Sequence, residues 1–281
     1  MKNTLFTLFI IAIAITGLHA QDLQIHKTDG SIITIPLNSI DSITFANGGT
    51  GGQGQPCPGT PTVTDIDGNV YNTVLIGDQC WMKENLKTTQ YRNGTPIEYP
   101  GTNNDAWYNN TTGAYAWYDN DVSWKEKYGA LYNWHAVNNT NDLCPEGWHV
   151  PSDEEWTQLV DYMVLQGFPN ENIANGAGNA LKSCRQVNSP LGGDCGTSEH
   201  PRWNEYPNFY GFDEFSFSAL PGGYRGYYGY FFGIGACAAW WSSTEISSTY
   251  AWARSIEHWG DVNRNYNFNK KDGVSMRCLR D

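Results

Sequence analysis

Asn141-Asp142-Leu143-Cys144-Pro145-Glu146-Gly147-Trp148-His149-Val150-Pro151-Ser152-Asp153-Glu154-Glu155-Trp156 is the stretch that decides the fold, because it joins a cysteine-anchored loop to a fully specified helix start. Ser152 stands at the N-cap. Glu155 comes three residues later and can reach back to the Ser152 N–H, which completes a capping box. Asp153 and Glu154 add negative charge at the positive end of the helix dipole. Trp156, Leu159, Val160, Met163 and Val164 then follow at i, i+3, i+4, i+7 and i+8, so one helical face is apolar and must be buried. The block contains no catalytic constellation.

Upstream, residues 1–20 have the marks of a secretory leader. Lys2 supplies the positive end, Leu5 to Ile15 is almost wholly apolar, and Leu18-His19-Ala20 closes on a small residue, which places cleavage after Ala20. The apolar run is shorter than the roughly 20 residues that span a bilayer, and no later segment approaches that length. The expectation is therefore a secreted or cell-surface protein without membrane insertion. No Cys follows the cleavage point, which argues against an N-terminal lipid anchor. Residues 21–46 read as a small β segment: Asp29-Gly30 is a hairpin-turn dipeptide, with Ile25 before it and Ile32, Ile33 and Ile35 after it. About 25 residues cannot bury an independent core. Residues 47–55 are a Gly-rich linker, and residues 56–281 form the main domain.

The net charge of −12 on 281 residues, with no basic tract, makes the chain a poor polyanion binder. Nucleic acid is excluded as a natural partner. All seven cysteines lie beyond the leader, and in an exported chain they read as disulfides first. None has Cys-x-x-Cys spacing, so a zinc knuckle is not indicated. The odd number leaves at least one without an internal partner. Cys237, inside the apolar Gly235-Ala236-Cys237-Ala238-Ala239-Trp240-Trp241, is expected to be a buried free thiol.

The main domain opens on a hairpin, Val63 to Ile66 and Val70 to Ile76 around Asp67-Gly68-Asn69. The Asp65-x-Asp67-Gly68-Asn69 string lacks the Gly at position 6 and the Glu at position 12 of a calcium loop, so turn chemistry is the reading. Tyr128 to Val137 predicts one further helix, residues 101–123 a long ordered loop, and Phe215 to Leu220 a strand-like run. Residues 201–260 hold eighteen aromatic residues among glycines. That density with short elements predicts a loop-rich α+β domain pinned by buried rings and disulfides.

Seven ordered blocks carry a resemblance. They are Val63 to Tyr71, Ile76-Gly77-Asp78-Gln79-Cys80-Trp81-Met82-Lys83-Glu84-Asn85-Leu86, Gly129-Ala130-Leu131-Tyr132-Asn133-Trp134, Cys144 to Pro151, Ala219-Leu220-Pro221-Gly222-Gly223-Tyr224-Arg225, Trp241-Ser242-Ser243-Thr244-Glu245 and Met276-Arg277-Cys278-Leu279. Together they resemble the Fibrobacter succinogenes major paralogous domain, a family of exported or surface proteins with no established general activity. More distantly the chain is similar to the C-type lectin-like fold, in the branch of the sulfatase-modifying (formylglycine-generating) proteins. That resemblance implies a Cys144–Cys278 bridge; from their places in the chain, Cys184–Cys195 would staple a local loop across Pro190 and Gly192-Gly193, and Cys57–Cys80 would tie down the first hairpin. It does not carry the functions over. The calcium tripeptides Glu-Pro-Asn and Gln-Pro-Asp are absent, Glu205-Tyr206-Pro207-Asn208 has an inserted residue, and only Cys237 lies near Cys278 late in the chain.

Trp240, Trp241 and Glu245, with Trp252 and Arg254, are the ligand-binding candidates. Strand alternation would let one of the adjacent tryptophans fill the core while the other shows its face to solvent. Asp119 and Asp121 are weak metal candidates in a solvated turn, and His135 and His149 read as hydrogen-bonded packing residues. No cofactor is expected; calcium is the one ion with candidate ligands, and no spacing supports it. The expected function is a non-enzymatic binding or adhesion module for glycan or a cell-surface protein. The alternative is an enzyme related to the formylglycine-generating proteins, or a hydrolase.

Overall fold

The computed structural model describes residues 22–26, 31–36, 54–183, 199–207, 209 and 211–281. The leader and the Cys184–Cys195 pairing lie outside the described residues. Residues 1–50 and 51–281 are separate units. In the first, β1 (Asp22–His26) pairs antiparallel with β2 (Ile32–Pro36), with Ile25 opposite Ile33, as the Asp29-Gly30 signal predicts.

The second unit is a mixed, sheet-rich domain. β3 (Thr62–Thr64), β4 (Val70–Ile76) and β5 (Gln79–Met82) form an antiparallel meander. Side-chain hydrogen bonds hold the turn between β3 and β4. Asp65 accepts from the Asn69 N–H at 2.9 Å and the Tyr71 hydroxyl at 2.6 Å, while Asp67 accepts from the Thr89 N–H at 2.6 Å. Two elements follow in the Asn-rich stretch, α1 (Asn104–Asn109) and β6 (Tyr115–Ala116), then single turns at Tyr118–Asn120 and Val122–Trp124.

The single helix expected over Tyr128 to Val137 is broken into α2 (Lys125–Tyr128), β7 (Leu131–Tyr132) and α3 (Trp134–Val137). The cause is local. Gly129 stops the helix at φ 75°, where a Cβ would lie 2.8 Å from the Leu86 carbonyl, and Asn133 caps α3 through the Ala136 N–H.

β8 (Trp148–His149) leads into α4 (Asp153–Leu165), and both halves of the capping box are present. Glu155 accepts from the Ser152 N–H at 2.7 Å, and the Glu155 N–H donates to Ser152 Oγ at 3.2 Å. Trp156, Leu159, Val160 and Met163 are buried, whereas Val164 is 44% exposed. At about 100° per residue Val164 sits about 80° round from Trp156, at the margin of the stripe.

After α5 (Ala177–Leu181), the strand expected over Phe215 to Leu220 does not form; Ser216 and Ser218 adopt φ of 54° and 56°, which hooks the backbone. β9 (Gly222–Arg225) and β10 (Phe231–Ile234) make a hairpin, and β11 (Cys237–Glu245), β12 (Tyr250–Glu257) and β13 (Val262–Asn269) a three-stranded antiparallel sheet. β14 (Leu279–Arg280) enters the first sheet between β5 and β8, giving the order β3-β4-β5-β14-β8.

Two disulfides tie this arrangement. Cys57–Cys80 joins the segment before β3 to β5, and Cys144–Cys278 joins the loop before β8 to the segment before β14. Cys237 is free and buried. Among the described residues, no helix is long and apolar enough to cross a membrane.

Candidate functional site

β11 runs between two halves of the core, and this decides the roles of the residues singled out above. Side chains alternate along a strand. Trp241 therefore packs with Tyr132 and Trp134 on one side, and Trp240 with Trp156 and Phe217 on the other. Their exposures are 0% and 1%, so the expectation that one shows its face to solvent is corrected. Both sides of the strand are covered. Each indole N–H also finds a protein acceptor: Trp240 donates to Asn85 Oδ1 at 2.9 Å and Trp241 to the Tyr132 carbonyl at 2.7 Å.

The other candidates are similarly engaged. Arg254 is buried, ion-paired to Asp153, and donates to Thr157 Oγ1 at 2.8 Å. Arg264 pairs with the second Asp153 oxygen and lies 3.9 Å over the Trp252 ring. Burial alone would raise the Asp153 carboxyl, but hydrogen bonds from Arg264 and Arg254 outweigh it and hold the group below the ordinary carboxylate range. Glu245 pairs with Lys270, whose ammonium lies 4.4 Å over Trp134. Asp119 and Asp121 are exposed; Asp121 caps its turn by accepting from the Ser123 N–H at 2.8 Å. Among the described residues no three His, Cys, Asp or Glu side chains converge as metal ligands.

What the fold does gather is an open cleft of about 580 Å3 between the β9–β10 hairpin and the β12–β13 face. That lies within the roughly 300–1,000 Å3 of small-ligand sites. Tyr224, Tyr227, Tyr228, Tyr230 and Phe232 supply one wall, and Tyr250 and Phe268 continue the aromatic lining. Tyr230 is 64% exposed and Phe232 49%, whereas Phe268 is anchored against Trp241. Asn265, Asn267 and Asn269, two apart along β13, present amides to the same space. Asn265 donates to Ser255 Oγ at 2.6 Å.

The hairpin that carries the rings is rigidly seated. Arg225, fully buried, donates to the carbonyls of Gly229 and Gly101 and to Asn104 Oδ1, and stacks 4.3 Å from Trp107. Gly229 has φ 94° and sits so close to Asn104 that a Cβ would fall 2.3 Å from its Oδ1. Only glycine fits there. Asp272 closes the far side, with one oxygen accepting from the Tyr227 N–H and the other from the Asn269 N–H, both at 2.7 Å. Burial nevertheless pushes its carboxyl up to about 6 against the pull of those two donors. Cys237 borders the cleft, and burial with the neighbouring Glu257 keeps its thiol protonated, well above the ordinary value.

The sequence reading passed over this wall. Its signal was visible in two places: the Tyr224-Arg225-Gly226-Tyr227-Tyr228-Gly229-Tyr230-Phe231-Phe232 run, and the alternation of Asn at 263, 265, 267 and 269. A family model, the Fibrobacter succinogenes major domain, matches residues 74–280. The chain belongs to that family. The match covers every residue of the cleft and both β11 tryptophans. No curated protein and no solved structure matches the chain.

Proposed function

We propose that the protein is an exported, non-catalytic binding module whose ligand is a glycan laid across the cleft of the β9–β10 hairpin and β13. The observation that carries this reading is the pairing of exposed rings with a row of asparagine amides. Sugar rings offer apolar C–H faces that stack on aromatics, and hydroxyls that exchange hydrogen bonds with amides. Among the described residues of the lining, Glu257 and Asp272 are the only acidic groups and none is basic, which favours a neutral saccharide. Two disulfides and the leader-like residues 1–20 support export to an oxidising compartment. The Cys144–Cys278 bridge and the capped α4 support the C-type lectin-like reading of the fold. We read recognition as calcium-independent, because Asp272 spends both carboxylate oxygens on backbone N–H groups.

The enzymatic alternative has weaker support. Asp272 spends both oxygens on backbone N–H groups and serves as a clasp, and the protonated, buried Cys237 is a poor nucleophile. A glycan array probed with the mature protein, with and without EDTA, tests the reading. Binding should survive the chelator. Tyr230→Ala and Phe232→Ala should keep the fold and weaken binding roughly tenfold each, the loss of about 1–1.5 kcal/mol of stacking. An array without binders, or binding indifferent to both substitutions, would refute it. Release of reducing ends from any bound oligosaccharide would favour the hydrolase instead.

A further inference from the structure

Tyr230 and Phe232 border two hollows. One is the cleft described above. The other is an open depression of about 580 Å3 against the Asn-rich stretch that follows Gly101, and the same two rings line it together with Thr102, Asn104, Asp119 and Asn120. Each hollow alone falls within the roughly 300–1,000 Å3 of small-ligand sites, so a compact ligand would occupy one and leave the other empty.

The second hollow repeats the chemistry of the first. Its rings are the exposed pair, and the polar side chains beside them are hydroxyl, amide and carboxylate, all able to exchange hydrogen bonds with sugar hydroxyls. Among its described lining residues Asp119 is the only charged group and none is basic. Asn120 Oδ1 is buried with no hydrogen-bond partner among the described residues, an acceptor that a ligand hydroxyl would satisfy. The wall is also fixed in advance. Arg225 ties the hairpin to the Gly101 carbonyl and to Asn104 Oδ1, Phe231 packs 5.4 Å from Tyr118, and the Tyr99 hydroxyl donates to the Asn120 carbonyl at 3.3 Å. Little ordering cost is left for the ligand to offset.

Both hollows are open rather than blind, so neither encloses a chain end, and a chain that fills one can continue past the shared rings into the other. We propose that the protein grips an extended neutral polysaccharide along its length, with successive residues in the cleft, over Tyr230 and Phe232, and in the hollow beside Asn120. This rests on the glycan reading of the cleft and adds the form of the ligand, an internal stretch of chain in place of a terminal sugar.

The test is a size series. Neutral gluco-, manno- and xylo-oligosaccharides from disaccharide to octasaccharide are titrated calorimetrically into the mature full-length chain, and each hexasaccharide is repeated after borohydride reduction of its end residue. Affinity for the preferred backbone should climb roughly tenfold or more from disaccharide to hexasaccharide and then level off, with reduction leaving it unchanged. Thr102→Val with Asn120→Gly, in which glycine keeps the left-handed backbone at φ 56°, should weaken hexasaccharide binding roughly tenfold and leave the disaccharide unaffected. Tyr230→Ala should weaken both. Circular dichroism checks the fold of each variant; should the double variant unfold, Thr102→Val alone repeats the measurement. Equal affinity for disaccharide and hexasaccharide, loss of hexasaccharide binding on reduction, or hexasaccharide affinity unchanged in the wall variants would overturn the extended site and leave the cleft reading standing. Absence of binding across the whole series would overturn both.

Discussion

Trp240 and Trp241 on β11 and Tyr230 and Phe232 on the hairpin are close in the chain and alike in chemistry, yet the molecule uses them in opposite ways. The two indoles are sealed between α4 and the β7–α3 turn, and each polar N–H has a protein acceptor. The hairpin rings stand about half exposed. What separates the pairs is not hydrophobicity but whether a second layer covers the strand. β11 has one on both faces, whereas on β10 Phe231 turns inward against Tyr118 and Arg225 while Phe232 and the preceding Tyr230 stay about half exposed. An aromatic residue therefore signals a ring to be covered, and only the topology says whether protein or ligand covers it.

The sharpest way to break this contrast is to remove each ring in turn. Trp240→Ala and Trp241→Ala should each cost about 3–5 kcal/mol in denaturant unfolding, while Tyr230→Ala and Phe232→Ala should stay within about 0.5 kcal/mol of the parent. Equal losses in all four would mean that the hairpin wall is core after all. Next in size is the covalent frame around the buried half. Replacing Cys144 and Cys278 together opens a loop spanning 134 residues and should cost roughly 4–5 kcal/mol in the chain-entropy account, against about 3 kcal/mol for Cys57 with Cys80 across 23 residues. Calorimetric melting of the two double variants would rank them; the reverse order would assign the stability to local strain rather than to loop closure. Ser152→Ala should cost about 0.5–2 kcal/mol, since the Glu155 N–H loses its cap.

The smallest expected effect concerns pH. Asp272 has its folded carboxyl raised to about 6, so between its unfolded value near 4 and about 6 the folded state holds more protons, and this group's contribution to stability falls as pH rises through that window. Asp272→Asn removes that slope. Wild type minus variant, measured by urea unfolding at pH 4.5 and 7, should therefore shrink toward pH 7. A difference that grows would mean that the clasp prefers the charged carboxylate.

Legibility followed the range of the interactions. The capping box, the apolar stripe of α4 and the β3–β4 turn are written within a few residues, and each stands where the sequence puts it. The break at Gly129 was harder to see, because what forbids a continued helix is a close approach to Leu86 and Asn85, more than forty residues earlier. The same holds for the site. Adjacent Trp240 and Trp241 drew attention through their spacing, but their burial depends on α4 and β7. The asparagine row on β13 was visible as a period of two, yet nothing local announces that the β9–β10 hairpin will stand across from it.

The segment from Gly273 to Arg280 exchanges backbone hydrogen bonds in turn with Arg225, Tyr132, Ala239, Trp241, Leu86 and Met82 before β14 closes between β5 and β8. Residues 273–280 thus thread the centre of the domain and hold together elements that are otherwise far apart in the chain. Until that segment has emerged from the ribosome, β5 and β8 face an empty slot and the two halves of the core have no common seam. The central seam of the core therefore closes last in synthesis, and long-range pairing of this kind makes folding of the domain slow relative to one built from local contacts.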